Sequence, residues 1–376
     1  MRKFCLSLLI FSILLLGGTS ARCEPIKKLE TSRFPSLISS IRIDAPLYFC
    51  GEAVPLDNPE VRERLEKELL LTLWNRSQVI LWLKRASRYF PHMEKVLKEN
   101  HAPDDLKYVP VIESALRAHA VSPKRAVGFW QFLKSTGRRY DLKINANIDE
   151  RRNVFASTRA AVKYFKDLYE ILGSWTLSAA AYNMGEKGLE AEILTQKNNT
   201  YYHLYLPLET QRYVFKILSV KLILSNPEKY GFHLKKEDLY PPLQFDRVKL
   251  KSKRITPIQI VAEAAKTYFK MIKDLNPDIR GYNIGKGNYS ILIPKGSAKG
   301  FHSRYQVLLN DWIAANEKRI YVVKRGDNLT AISERFDVPL PALAIWNRIS
   351  LKKPIHPGQR LVIYPNDAGT KRKLKK

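Results

Sequence analysis

The sequence predicts a multidomain protein, an all-α domain followed by small α+β modules. Three observations predict it. Between about residues 59 and 226, apolar side chains recur at helical spacing with little strand character. Beyond about residue 250 the pattern changes to short helical runs that end on apolar, strand-like runs closed by Pro294 and Pro365. The chain's 376 residues are enough for two or three domains, and a hydrophobic content of 45% is enough to fill their cores.

Residues 1–21 read as a secretory signal: Arg2 and Lys3 form a positive start, 6–16 is almost wholly apolar, and small residues lead to a cut after Ala21. That apolar run is too short to span a bilayer comfortably. Residues 22–58, with four prolines and several serines, read as a linker and an extended segment. Residues 59–100 form an N-terminal helical segment that packs on the main domain. Asn58 and Pro59 open its first helix, along which Val61, Leu65, Leu69 and Leu73 recur at turn spacing, and a second amphipathic helix covers 79–93.

Residues 101–232 read as the main helical domain. Pro103, Asp104 and Asp105 open a helix through 106–116, with acidic residues suited to its N-terminal dipole. An aromatic pair, Phe129 and Trp130, lies in 126–136. A long helix over 154–172 ends at Gly173. Ser174 caps a short one over 175–184 that Gly185 closes, and another runs over 210–225 before Pro227. Residues 250–300 and 319–365 read as two small modules, within which 256–294 and 319–365 form a weak internal repeat of roughly fifty residues. Residues 366–376 read as a basic, disordered tail.

The formal net charge of +28, spread along the chain, favours polyanionic partners: nucleic acid, anionic lipid or an acidic wall polymer. The signal segment favours the cell envelope and argues against nucleic acid, as does the lack of a basic recognition helix. Cys5 lies in the signal segment. Cys23 is free, paired with Cys50 or lipidated, and Arg22 argues against lipid. No Cys/His spacing suggests a metal site, and no cofactor is expected. The sequence does not fix an oligomeric state.

Glu113 is the one acidic residue within the apolar stretch 106–116, on the same stripe as Leu106, Val109 and Leu116. A carboxylate there loses water, so its protonated form is favoured, as a general acid requires. Glycoside hydrolysis normally uses two carboxylates. The other candidates have structural settings: Asp141 in a turn, Asp149 and Glu150 at a charged helix start with capping as their role.

Four motifs then occur in order: Ile112-Glu113-Ser114, Gly128-Phe129-Trp130-Gln131, Ala181-Tyr182-Asn183 before Met184-Gly185, and Glu209-Thr210-Gln211-Arg212-Tyr213-Val214. Together with Ser122 they resemble the lytic transglycosylase family of lysozyme-like enzymes over about residues 100–230. Phe129 and Trp130 replace a commoner Leu-Met pair. The stretch from Tyr321 through Gly326, Asp327, Asn328 and Leu329 to Asn347 and Leu361 resembles the LysM glycan-binding module. Asn328 stands there for a commoner Thr or Ser. Residues 256–294 resemble a degenerate copy without the Gly-Asp turn.

The resemblance implies a lysozyme-like catalytic fold and a peptidoglycan substrate, held on its glycan strands by LysM. Glu113 would act alone, first as acid and then as base, and leave 1,6-anhydromuramic ends. Ser114, Ser122, Phe129, Gln131, Tyr182, Asn183 and Tyr213 would form the substrate site. Ser122, Gln131 and Asn183 would hydrogen-bond the sugar. Tyr182 would pack on it or bond Glu113. Phe129 and Trp130 would wall the groove or fill the core, and Tyr213 is either a core or a site residue. Gly326, Asp327, Asn328, Leu329 and Asn347 would bind glycan through LysM, with Asp327 capping the helix after it; Trp346 reads as core. An anionic membrane surface is a further expected partner. The rivals are a hydrolytic muramidase, a non-catalytic wall-binding protein and, on charge alone, a nucleic-acid binder.

Overall fold

The computed structural model describes residues 35–43, 46–316, 320–351 and 353–364. The signal segment, Cys5, Cys23 and the basic tail lie outside the described residues. Among those described, no helix is long and apolar enough to cross a membrane.

The extended segment expected before residue 59 takes the form of a hairpin. A one-turn helix α1 (Leu37–Ile41) is followed by a two-residue hairpin, β1 (Tyr48–Phe49) and β2 (Glu52–Ala53). Phe49 and Val54 are buried in the main core, so the hairpin is part of the domain. Burying a Phe or Val side chain is worth about 1.5–3 kcal/mol, enough to hold a short segment in place.

The helices α2 (Pro59–Trp74) and α3 (Arg76–Glu99) match the expected pair. The Asn58 side chain accepts from the Glu60 N–H, and Pro59 fills a first-turn position that needs no N–H. Helix α2 packs on α9 (Leu208–Ser225), and α3 packs on α6 (Val154–Leu172). Buried Glu68 of α2 forms a bidentate ion pair with Arg212 of α9.

The predicted helix over 106–116 is shorter than expected. A 3-10 turn at Asp104–Tyr108 leads into α4 (Val109–Ser114), and Ala115 and Leu116 both take left-handed φ, 52° and 56°, which stops the helix at once. The stretch 126–136 is mainly loop, with helix only in α5 (Lys134–Arg139). By contrast, α6 with its Gly173 stop, and α7 (Trp175–Met184) with Ser174 at its start, lie where predicted. Helix α8 (Glu186–Gln196) connects α7 to the loop before α9.

The two C-terminal modules share one plan. In the first, β3 (Phe245–Ser252) pairs antiparallel with β6 (Gly287–Pro294), enclosing β4 (Thr256–Pro257), α10 (Ile258–Ala264), α11 (Phe269–Leu275) and β5 (Asn283–Ile284). Val248 and Leu250 face its core, while Lys249 and Lys251 face outward, the period of two expected of a half-buried strand. The module begins at Phe245 rather than 250, and α12 (Phe301–Asn316) packs on α10. In the second, β7 (Ile320–Val322) pairs with β8 (Arg360–Val362) around α13 (Leu329–Arg335) and α14 (Leu340–Asn347).

One side-chain latch recurs in both. The Asn276 amide donates to the carbonyls of Ile272 (2.8 Å) and Leu292 (2.7 Å) and accepts from the Leu292 N–H (2.8 Å). Asn347 donates to Leu343 (2.9 Å) and Val362 (2.8 Å) and accepts from the Val362 N–H (2.6 Å). The repeat seen in the sequence is therefore a repeat of hydrogen bonds as well as of elements.

The first module is joined to the helical domain by backbone. Ile148 bridges Ile279, the Asp149 N–H donates to the Asp278 carbonyl at 2.9 Å, and Ile148 enters the module's core. Arg348 of the second module donates to the carbonyls of Ala146 and Arg280 beside that bridge.

Candidate active site

Glu113 sits one residue before the end of α4, whose buried side is Val109, Pro110, Val111 and Ser114. The abrupt left-handed stop leaves the carboxyl group at the helix end while protein surrounds it. Burial, the larger effect, pushes its pKa from an ordinary 4.5 up to about 7. The Tyr213 hydroxyl donates to its Oε1 at 2.5 Å and opposes that rise, Glu209 adds to it, and Lys216 reduces it. Tyr213 is buried on α9, a hundred residues away in sequence, and its own pKa is raised first by burial and then by Glu113. Of the two readings left open for Tyr213, the structure combines both: a core residue whose hydroxyl faces the acid.

Next to Glu113, the Ser114 hydroxyl donates to the Phe129 carbonyl at 2.8 Å and lies 3.0 Å from the Pro110 carbonyl. This ties α4 to the loop that carries Gln131. Ser114 is only 4% exposed and Phe129 only 1%. Both side chains, expected to meet substrate, are largely enclosed here, Phe129 edge-on to Tyr89. Trp130 is likewise core, its indole N–H donating to Thr158.

The loop is shaped by one glycine and one buried ion pair. Gly128 has φ +86°, and a Cβ there would meet the Arg151 carbonyl oxygen at 1.8 Å, so no other residue fits. Arg151 pairs bidentately with Asp149 at 2.8 Å and donates to the Phe132 carbonyl at 3.1 Å. Asp149 therefore anchors the loop through Arg151 and makes no cap hydrogen bond, a correction to its expected role. Asp141 pairs with Lys163, and Glu150 accepts from the Lys143 N–H. None of the three is placed as a second reacting carboxylate.

Gln131 adopts φ +48°, unusual for a residue with a side chain. Its amide nitrogen donates to the Gly128 carbonyl at 2.7 Å, and its amide oxygen accepts no bond among the described residues. The Ser122 hydroxyl accepts from the Ala126 N–H at 3.0 Å and retains its proton for donation.

Tyr182 and Asn183 come from α7. Tyr182 donates to the Trp130 carbonyl at 2.6 Å, not to Glu113, and stacks on Phe165 at 4.6 Å. It still lies close enough for Glu113 to raise its pKa, after burial. Asn183 accepts from the Thr210 hydroxyl at 2.8 Å, which leaves its amide nitrogen without a partner among the described residues.

Sequence reasoning missed Glu52 altogether. Its carboxylate accepts from the Ser174 hydroxyl (3.0 Å), the Thr176 N–H (3.0 Å) and hydroxyl (3.1 Å), and the Trp175 N–H. A hairpin residue thus caps the helix that presents Tyr182 and Asn183. An anion there satisfies orphan N–H groups and complements the helix dipole. No local signal in the sequence marks that pairing.

In the second module, Gly326 has φ +91° and opens the turn. Asp327 accepts from the Tyr321 hydroxyl (2.6 Å) and the Lys324 N–H (2.7 Å), so it closes the turn. Asn328, not Asp327, caps α13, accepting from the Ala331 N–H at 2.8 Å. Leu329 and Trp346 pack against the module's core. Asn347 is occupied by the latch, which supports a structural role in place of the expected glycan contact. Among the described residues, no cluster of His, Cys, Asp or Glu could hold a metal ion.

Residues 91–204 match the transglycosylase SLT domain, and residues 321–363 match the LysM domain. The chain is 32% identical over 357 residues to membrane-bound lytic murein transglycosylase D of Escherichia coli (strain K12), covering 90% of this chain and 77% of that protein. The protein of the same name from Escherichia coli O6:H1 matches to the same extent.

Proposed function

The chain belongs to the lytic murein transglycosylase family, alongside membrane-bound lytic murein transglycosylase D, and from that premise we propose that Glu113 works alone as acid and then as base. The protein is a peptidoglycan lytic transglycosylase. The bond cut is the β-1,4 link between N-acetylmuramic acid and N-acetylglucosamine.

Glu113 begins protonated and gives its proton to the glycosidic oxygen, which leaves as the hydroxyl of N-acetylglucosamine. The carboxylate so formed takes the proton of the muramoyl 6-hydroxyl. That oxygen bonds to the anomeric carbon, closing a 1,6-anhydro ring, and no water is consumed. An internal hydroxyl held at the reacting carbon takes the place of a second carboxylate. The observation that carries this reading is the half-buried Glu113, whose carboxyl group has its pKa pushed up to about 7 and is bonded by the Tyr213 hydroxyl. A group titrating there can give and retake a proton at little cost in either direction.

Ser122, Gln131 and Asn183 would bond the sugar, since each has an unused donor or acceptor. Ser114, Phe129 and Tyr182 would act by holding the loop and the helix. The turn at Gly326 to Leu329 would hold glycan, and the exported protein would work in the cell envelope, its basic surface facing murein and anionic membrane. Digestion of purified sacculi followed by mass analysis tests the reaction. Anhydro ends are expected; products carrying only reducing ends would establish the hydrolytic muramidase instead.

A further inference from the structure

A cavity of about 500 Å³ lies between the helical domain and the first C-terminal module. Glu113, Gln131, Tyr182 and Asn183 do not line it; Phe129, behind the loop that carries Gln131, does. Helix α3 contributes Arg85, Arg88 and Tyr89, the segment after α4 contributes Arg117, and α11 contributes Asp274.

The charges in this cavity are out of balance. Arg85, Arg88 and Arg117 each give one N–H to a backbone carbonyl, of Ala115 (3.0 Å), Pro241 (3.4 Å) and Ser114 (3.0 Å). None of the three forms an ion pair among the described residues. The one carboxylate in the wall, Asp274, is paired with Lys270. The rest of the lining is largely apolar or aromatic, with Tyr240 stacked 4.8 Å from the Arg88 guanidinium. Nearby Arg152 and Lys273 add to the positive field, which, after burial, helps hold the His119 imidazole below its ordinary pKa.

We propose that this cavity binds an acidic peptide, with the guanidiniums on its carboxylates and the aromatic wall on its aliphatic stems. Free guanidinium edges suit carboxylates because they bond them two at a time. The source, resting on the proposed function, is the stem peptide of murein, which bears several free carboxylates on a short chain. Arg117 and Leu116 line the cavity and come within four residues after Glu113, so a peptide seated here lies close behind the catalytic helix.

The test is calorimetric titration of the full chain with the synthetic tetrapeptide L-Ala-γ-D-Glu-meso-diaminopimelate-D-Ala. A second titration uses the same peptide with its carboxylates amidated. Binding is expected for the first, and roughly 10- to 100-fold weaker binding in the Arg85→Gln/Arg88→Gln chain, from the loss of charge-assisted bonds. Arg85→Lys/Arg88→Lys keeps the charge and should bind between the two, which keeps the test decisive if the Gln variant fails to fold. No binding by the parent chain at millimolar peptide, equal binding by the Gln variant, or equal binding of the amidated peptide would each overturn the proposal. So would vesicles of phosphatidylglycerol that bind through these arginines while the peptide does not. The measurement involves no turnover, so an error in the role of Glu113 leaves its outcome unchanged.

Discussion

Replacing Glu113 by glutamine should make the protein more stable at alkaline pH while it destroys activity. The folded protein holds the Glu113 proton up to about pH 7, against an ordinary 4.5. Each factor of ten in proton affinity is worth about 1.4 kcal/mol, so the ionised form is disfavoured in the fold by about 3 kcal/mol. Linkage sets the sign. Below pH 4.5 both folded and unfolded chains carry the proton, and the group costs nothing. Between 4.5 and 7 the unfolded chain loses its proton first, and stability falls as pH rises. Above 7 the full cost is present. Glutamine is neutral throughout, has nearly the same shape, and its amide oxygen can still accept from Tyr213. Urea unfolding of Glu113→Gln and the parent, monitored by tryptophan fluorescence, should therefore coincide near pH 4.5 and diverge toward pH 8 by up to about 3 kcal/mol in favour of the variant. Release of anhydro products from sacculi should fall by at least 10²–10⁴-fold, the usual contribution of general acid-base help. A variant no more stable than its parent at pH 8 would mean that the carboxyl group is well solvated, and the single-carboxyl mechanism would lose its basis.

Tyr213→Phe removes a donor to the charged form of Glu113, so the pKa should rise further and the alkaline limb of the pH–rate profile should move upward; an unmoved limb would separate Tyr213 from the acid. Gly128→Ala puts a methyl group onto the Arg151 carbonyl and needs a left-handed φ, so a loss of at least about 1–3 kcal/mol is expected in thermal unfolding. Glu52→Gln retains shape but removes the anion from the start of α7, and stability should drop by about 1–2 kcal/mol in urea unfolding.

Much of the fold was legible because its signals are local. Asn58 before Pro59, Ser174 before α7, and Gly173 after α6 each act within one helical turn, and the structure uses all three. Glu113 was legible for a similar reason, as one carboxylate amid Leu106, Val109 and Leu116, all buried. What escaped was assembled over distance. Tyr213 meets Glu113 only because α9 lies against α4, and periodicity could not choose between a core and a site role for it. Asp149 and Glu150 looked like a charged helix start because the burial of Asp149 against Arg151 depends on the loop they support. The helix expected over 106–116 was overestimated, because nothing in an Ala-Leu pair announces two successive left-handed residues; tertiary packing overrides their propensity there. Asn276 and Asn347 stood at matching places in the sequence repeat, but only the strands they join reveal why.

The hairpin carboxylate of Glu52 also bears on how this enzyme can be cut down. The stretch recognised as the SLT domain ends at residue 204 and starts at 91, yet the phenol that touches the acid arrives from residue 213 and the anion that steadies α7 from residue 52. A fragment trimmed to the recognisable segment would present bare amides at the start of α7 and an acid stripped of its neighbour. A catalytic fragment therefore has to reach at least from the hairpin through α9, and engineers who graft this activity onto another scaffold need to carry both ends with it.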